Sequence, residues 1–141
     1  MTTPKLRLPK HMIFHHDLRL MVFRPVGVLT EDRVDKDIAL LEKAEDKLKE
    51  AFNRFSDLSK VKDIKLDFQY IFRIALHRRL KYAGRAPVKS AFYVATEEAA
   101  RLVKLHALIT DLSPITVKMF EDIPSAAEWL GVTVEDLEMG R

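Results

Sequence analysis

The stretch NRFSDLSKVKDIKLDFQYIFRIALHRR, Asn53 to Arg79, decides how the rest of the chain is read. It continues a short apolar run, Phe52 to Leu58, in which Phe52, Phe55 and Leu58 suit a buried strand and Ser59 closes it. A connector carrying Lys60, Lys62 and Lys65 then leads to Asp67, which opens a long helix. On a wheel of about 100° per residue with Phe68 at the origin, Ile71, Phe72, Ala75, Leu76, Tyr82 and Ala83 gather on one side. Tyr70, Arg73, His77 and Lys81 gather opposite, and Arg79 falls near the centre of the apolar side, against the pattern. Gly84 ends the helix. A strand that feeds a helix through a charged turn is where α/β proteins place functional groups, so a site is expected at that turn.

Outward from this stretch the chain alternates strands and helices. Met12–Phe14 and Leu18–Phe23 read as a hairpin with His15, His16 and Asp17 at its tip, and Pro25 and Gly27 punctuate its exit. Thr30 is an N-cap for a helix running to about Glu50, with Val34, Ile38, Leu41 and Leu48 on its buried face. Val88–Thr96 reads as an inner strand, and Thr96 caps a third helix with Ala99, Leu102, Val103 and Ala107 inward. Ile115–Phe120 alternates as a strand, and Asp122 with Pro124 starts a short helix that Gly131 closes. The order β-β-α-β-α-β-α-β-α predicts a single α/β domain: a mostly parallel sheet of about five strands, one antiparallel edge strand and four helices. Residues 1–11 are expected to be a flexible arm, 12–132 the domain and 133–141 a short amphipathic tail.

Composition excludes several functions. A net charge of +3 with interleaved signs lacks the dense basic patch of a nucleic-acid binder, and no nucleic-acid partner is expected. The absence of cysteine removes disulfides, thiol nucleophiles and cysteine metal sites. Gly27, Gly84, Gly131 and Gly140 stand at element ends or in the tail, so no glycine-rich phosphate loop is present and no nucleotide cofactor is expected. No run has the length of a membrane span and the N-terminus has no signal-peptide core, which predicts a cytoplasmic protein without an integral membrane segment.

Three stretches carry a resemblance. FRPVGVLTED (Phe23–Asp32), FSDLSKVKDI (Phe55–Ile64) and MFEDIPSAAEWLGV (Met119–Val132) resemble, in this order, the strand and helix start, the central strand and loop, and the last strand and helix of STAS domains. These are the fold of bacterial anti-sigma factor antagonists, and the chain is most similar to uncharacterised STAS-like proteins grouped with CRAL-TRIO lipid-binding domains. In the phospho-regulated antagonists the loop continues Asp-Ser-Ser-Gly, with a serine that a partner kinase modifies. The corresponding positions here are Lys65, Leu66, Asp67 and Phe68, which keep neither hydroxyl nor glycine. The resemblance implies a non-catalytic bacterial regulatory or protein-interaction domain without that switch. Its partner-binding surface would comprise Ser59, Lys60, Lys62, Lys65 and Asp67, with a homodimer as a further expectation. The alternative it implies is a carrier of a lipid-like or anionic ligand.

Each candidate side chain has a plain structural reading beside the functional one. His11, His15, His16 and Asp17 have no downstream ligand set at zinc spacing, so a polar hairpin tip is expected and no metal. Ser56 or Ser59, His77 or His106, and Asp57 supply the types of a hydrolytic triad, but nothing resembling a nucleophile elbow surrounds either serine. Arg73, His77, Arg78, Lys81 and Arg85 form a basic helix end, either a solvated face or a seat for an anion. Arg79, on the side read as apolar, requires an ion pair with a nearby acid or a ligand in a small pocket. Arg79, Arg78, Lys81 and Arg85 are therefore the candidate ligand-binding residues of the carrier reading.

Overall fold

Four helix starts follow directly from the side chains that satisfy free backbone N–H groups. Thr30 accepts from Arg33 N, Asp67 from Tyr70 N at 2.8 Å, Thr96 from Ala99 N and Asp122 from Ser125 N at 2.7 Å. They open α1 (Glu31–Leu48), α2 (Phe68–Tyr82), α3 (Glu97–Thr110) and α4 (Ile123–Leu130) of the computed structural model, which describes residues 6–138. The main sheet contains β1 (Met12–His15), β2 (Leu20–Phe23), β4 (Asn53–Asp57), β6 (Val88–Tyr93) and β7 (Ile115–Phe120), in the spatial order β1-β2-β4-β6-β7. β1 runs antiparallel to β2 at one edge, and the remaining pairs are parallel. The predicted five-stranded sheet with one antiparallel edge strand is thus found.

Two segments depart from the expectation. The lysine-bearing connector is not a loop: β5 (Val61–Lys65) pairs in parallel with β3 (Gly27–Thr30) as a separate two-stranded ribbon. Val61 and Ile64 turn inward while Lys62, Asp63 and Lys65 are exposed. The ribbon's register shifts at Gly27, whose φ of 85° suits glycine at a bulge. The expected tail contains a fifth helix, α5 (Val134–Glu138), whose Leu137 is fully buried. Of the expected arm, residues 1–5 lie outside the described residues, and Leu6 and Leu8 pack against Met12, Met21 and Phe52. Residues 139–141, the end of the expected tail, also lie outside.

Strand alternation divides the core into two layers. On one face Leu20, Val22, Phe55 and Ala91 pack with Ile123, Ala126, Leu130 and Leu137 from α4 and α5. On the other, Met21, Arg54, Ser56, Ser90 and Phe92 face α1, α2 and α3. The central strand β4 thus presents two polar side chains, Arg54 and Ser56, to this side of the core.

The orientation of α2 corrects the wheel. Its buried residues are Tyr70, Ile71, Ile74, Ala75, Arg78 and Tyr82, whereas Phe68 and Phe72 are 58% and 53% exposed, and Leu76 and Leu80 are also exposed. The helix carries two apolar arcs, and its packing selects the one containing Ile71, Ile74 and Ala75. Tyr70, expected outside, is buried with its hydroxyl donating to Asp35 Oδ1 at 2.5 Å and to Glu31 O at 3.1 Å. Burial and the Asp35 carboxylate together raise the Tyr70 pKa.

Candidate functional site

The predicted surface site is occupied by local backbone bonding. Asp57 Oδ1 accepts from Ser59 N at 3.0 Å and Ser59 Oγ at 2.6 Å, a turn that closes β4. Lys60 accepts Gly27 N through its carbonyl, Lys62 and Lys65 project from β5 into solvent, and Asp67 caps α2. The four candidate cations separate. Among the described residues Arg79 has no ion pair; it donates to the Ile109 and Asp111 carbonyls at the end of α3. Lys81 pairs with Glu42 at 3.3 Å, and Arg85 lies over the Tyr82 ring. Arg78, its neighbour in sequence, is the cation that turns into the core.

A cavity of about 160 Å³ lies between the sheet and α1–α3. At the ribbon end its wall is apolar, with Leu29, Ile64, Leu66, Ile71 and Leu102. At the other end the start of β4, β6 and the later turns of α2 and α3 bring Arg54, Ser90, Arg78 and His106 to the wall, and Ser56 lines it farther along β4, level with Phe92. The strand pairing sets Ser90 beside Arg54.

The polar end is a network with an excess of cationic donors. Arg54, 3% exposed, lies between the rings of Phe52 and Tyr82, at 5.2 and 5.0 Å from their centroids. Its Nη2 donates to Tyr82 Oη at 2.9 Å and pairs with Glu45 Oε1 at 3.1 Å, and Tyr82 in turn donates to Glu45. Arg78 Nη1 donates to His106 Nε2 at 3.2 Å. Burial, then the charge of Arg54, lowers the Arg78 pKa to about 10, so it remains a cation at neutral pH. Burial, then Arg78, lowers His106 to about 3, so its imidazole is neutral and its proton is on Nδ1. Nδ1 of His106 and Nε and Nη1 of Arg54 are buried without a hydrogen-bond partner among the described residues.

The catalytic inventory does not converge. Asp57 lies across β4 from the cavity, at 3.6 Å from Arg24, and His77 is bonded to Glu42 at 2.7 Å. His106 has a guanidinium where a general base would have a carboxylate, which opposes formation of imidazolium. At the hairpin tip the His16 ring packs edge-on against Phe14, and no group of three or more His, Asp or Glu among the described residues could hold a metal. No helix among the described residues is long and apolar enough to cross a membrane.

Sequence reasoning did not select Arg54, Ser90 or Glu45. A signal for Arg54 was present: Phe52, Arg54, Ser56 and Leu58 share one face of a strand with neighbours on both sides, where a cation needs compensation. No family model matches the chain, and no curated protein matches it. The structure is similar to the crystal structure of an uncharacterized protein of the DUF3478 family with a SpoIIAA-like fold from Shewanella loihica PV-4, at 20% identity and a TM-score of 0.53. That likeness covers 79% of this chain and 83% of the other, and shows the fold to be SpoIIAA-like, the STAS-like architecture expected from the sequence.

Proposed function

We propose that this protein is a binding domain for a small, largely apolar molecule held between the sheet and helices α1–α3. The observation that supports this is the 160 Å³ cavity with its apolar wall. Well-packed interiors leave few voids larger than a water molecule, and a cavity of about 150 Å³ lined by aliphatic side chains accommodates benzene. The volume suits a ligand body of about six to ten non-hydrogen atoms on that comparison. It is too small for a whole long-chain lipid, so the carrier reading narrows to a short-chain or single-ring ligand. Binding requires no chemical step, and the pairing of His106 with Arg78 favours a non-catalytic role.

The protein-interaction reading at Lys60–Asp67 is supported only by the exposed lysines and the fold, and the cavity is the stronger feature. The test is methyl-labelled NMR of the full chain titrated with benzene. Shifts concentrated on the lining methyls of Leu29, Ile64, Leu66, Ile71, Ile74 and Leu102 are expected, and Ile74→Phe, which fills the space, should abolish them. Unmoved methyls at saturating benzene would overturn the proposal.

A further inference from the structure

We infer that the polar end of the cavity is an anion site that takes the carboxylate of a small monocarboxylic acid, held by Arg54 and Arg78. This rests on the ligand-binding reading above and specifies the head group of the ligand. Two buried guanidiniums stand against one carboxylate, Glu45, whose Oε1 is already shared by Arg54 and Tyr82. Arg78 forms no ion pair among the described residues; its bond is to a neutral imidazole. Nearby acids are engaged elsewhere: Glu42 holds His77 and Lys81, and Asp37, farther up α1 on the same wall, is bonded to His11 at 2.9 Å.

A buried cation without a counter-ion is costly, as are buried donors without acceptors. Arg54 Nε and Nη1 and His106 Nδ1 are such donors, on side chains 3% and 7% exposed. A guanidinium edge matches a planar carboxylate, which can accept two parallel hydrogen bonds, and the Nε–Nη2 edge of Arg78 makes none among the described residues. The charge also selects the ligand. Arg54, Arg78 and Glu45 together sum to one positive charge, which one carboxylate neutralises and a phosphate dianion exceeds. Ser90 lines the same end, and the apolar wall toward the ribbon receives the remainder of the acid.

The experiment is calorimetric titration at pH 7.5 with two matched pairs, benzoate against benzyl alcohol and hexanoate against hexanol. Each acid is expected to bind at least tenfold tighter than its alcohol. Arg78→Met should erase this preference. Glu45→Gln, which removes the competing charge but keeps an acceptor for Arg54 and Tyr82, should enlarge the preference. Should Arg78→Met fail to fold, Glu45→Gln and the wild-type ratio still decide the question. Equal affinity for acid and alcohol in the wild type would overturn the anion site and leave the apolar cavity standing. Inorganic phosphate displacing benzoate at equal concentration would overturn the assignment to carboxylates. No binding of any of the four probes, with no benzene response either, would remove both proposals.

Discussion

Changing His106 to glutamine should make the fold less sensitive to acid. Burial and the adjacent Arg78 charge hold the native imidazole at about 3, against 6.5 when exposed. Arg78 from α2 bonds its Nε2, the Phe92 ring from β6 lies at 6.1 Å, and no carboxylate among the described residues pairs with it. Between these two values the unfolded chain binds a proton that the native protein does not, so stability falls as pH falls. Well below pH 6.5 the slope from this one residue is about 1.4 kcal/mol per pH unit. Between pH 7 and 5 it amounts to about 2 kcal/mol. His106→Gln keeps an acceptor for Arg78 and does not titrate. Urea unfolding followed by far-UV circular dichroism at pH 7 and 5 should show the wild type losing about 2 kcal/mol more than the variant. Losses that agree within about 0.5 kcal/mol would mean that the native histidine takes up a proton, and the Arg78–His106 bond would be wrongly oriented.

Three further outcomes follow from the packing. Glu45→Leu leaves Arg54 buried without its carboxylate and should cost about 3–5 kcal/mol in urea unfolding; a loss below about 1 kcal/mol, the scale of an exposed pair, would contradict the buried network. Asp67→Ala should cost about 1 kcal/mol through the lost α2 cap, with Asp67→Asn close to wild type, read from the same melts; equal losses for both would show that charge, not the capping bond, matters there. Acid should also release the Glu42 carboxylate: its burial raises the pKa, but the bonds from His77 and Lys81 outweigh this and hold it below the ordinary 4.5. Its stabilisation is present above pH 4.5 and lost as pH falls through the lowered value, so Glu42→Gln should narrow the difference in stability between pH 5 and 3.

The architecture was legible where one residue type settles a local question. Thr30, Asp67, Thr96 and Asp122 mark helix starts because their side chains can replace missing backbone partners, and Gly131 ends α4 at φ 74°. The ribbon was not legible: Lys62, Asp63 and Lys65 look like a charged connector, and only pairing with β3 makes them a strand. The rotation of α2 was hidden because Phe68, Phe72 and Leu76 form an apolar arc as convincing as the one that packs. That choice moved the buried cation from Arg79 to Arg78. The site was also sought at the wrong end. The charged turn after β4 points to the carboxyl ends of the strands, whereas the buried polar cluster lies where β4 begins and α2 and α3 finish. Arg54, Glu45 and Tyr82 meet only through tertiary packing, which periodicity along any one element does not report.

The parallel pairing around β4 has a consequence for how the chain acquires its interior. Leu20 opposite Asn53 and Arg54 opposite Ser90 each join residues separated by a whole helix, so neither pairing can close locally. Such long-range closures slow folding relative to helical bundles, toward roughly milliseconds to seconds. During synthesis, Arg54 precedes Tyr82, which bonds it, and Ser90, which stands beside it in the sheet. A nascent chain that stops before β6 lacks Ser90, Phe92 and the α3 side chains that wall the cavity. The cavity is created late, and a shortened chain would not keep a partial version of it.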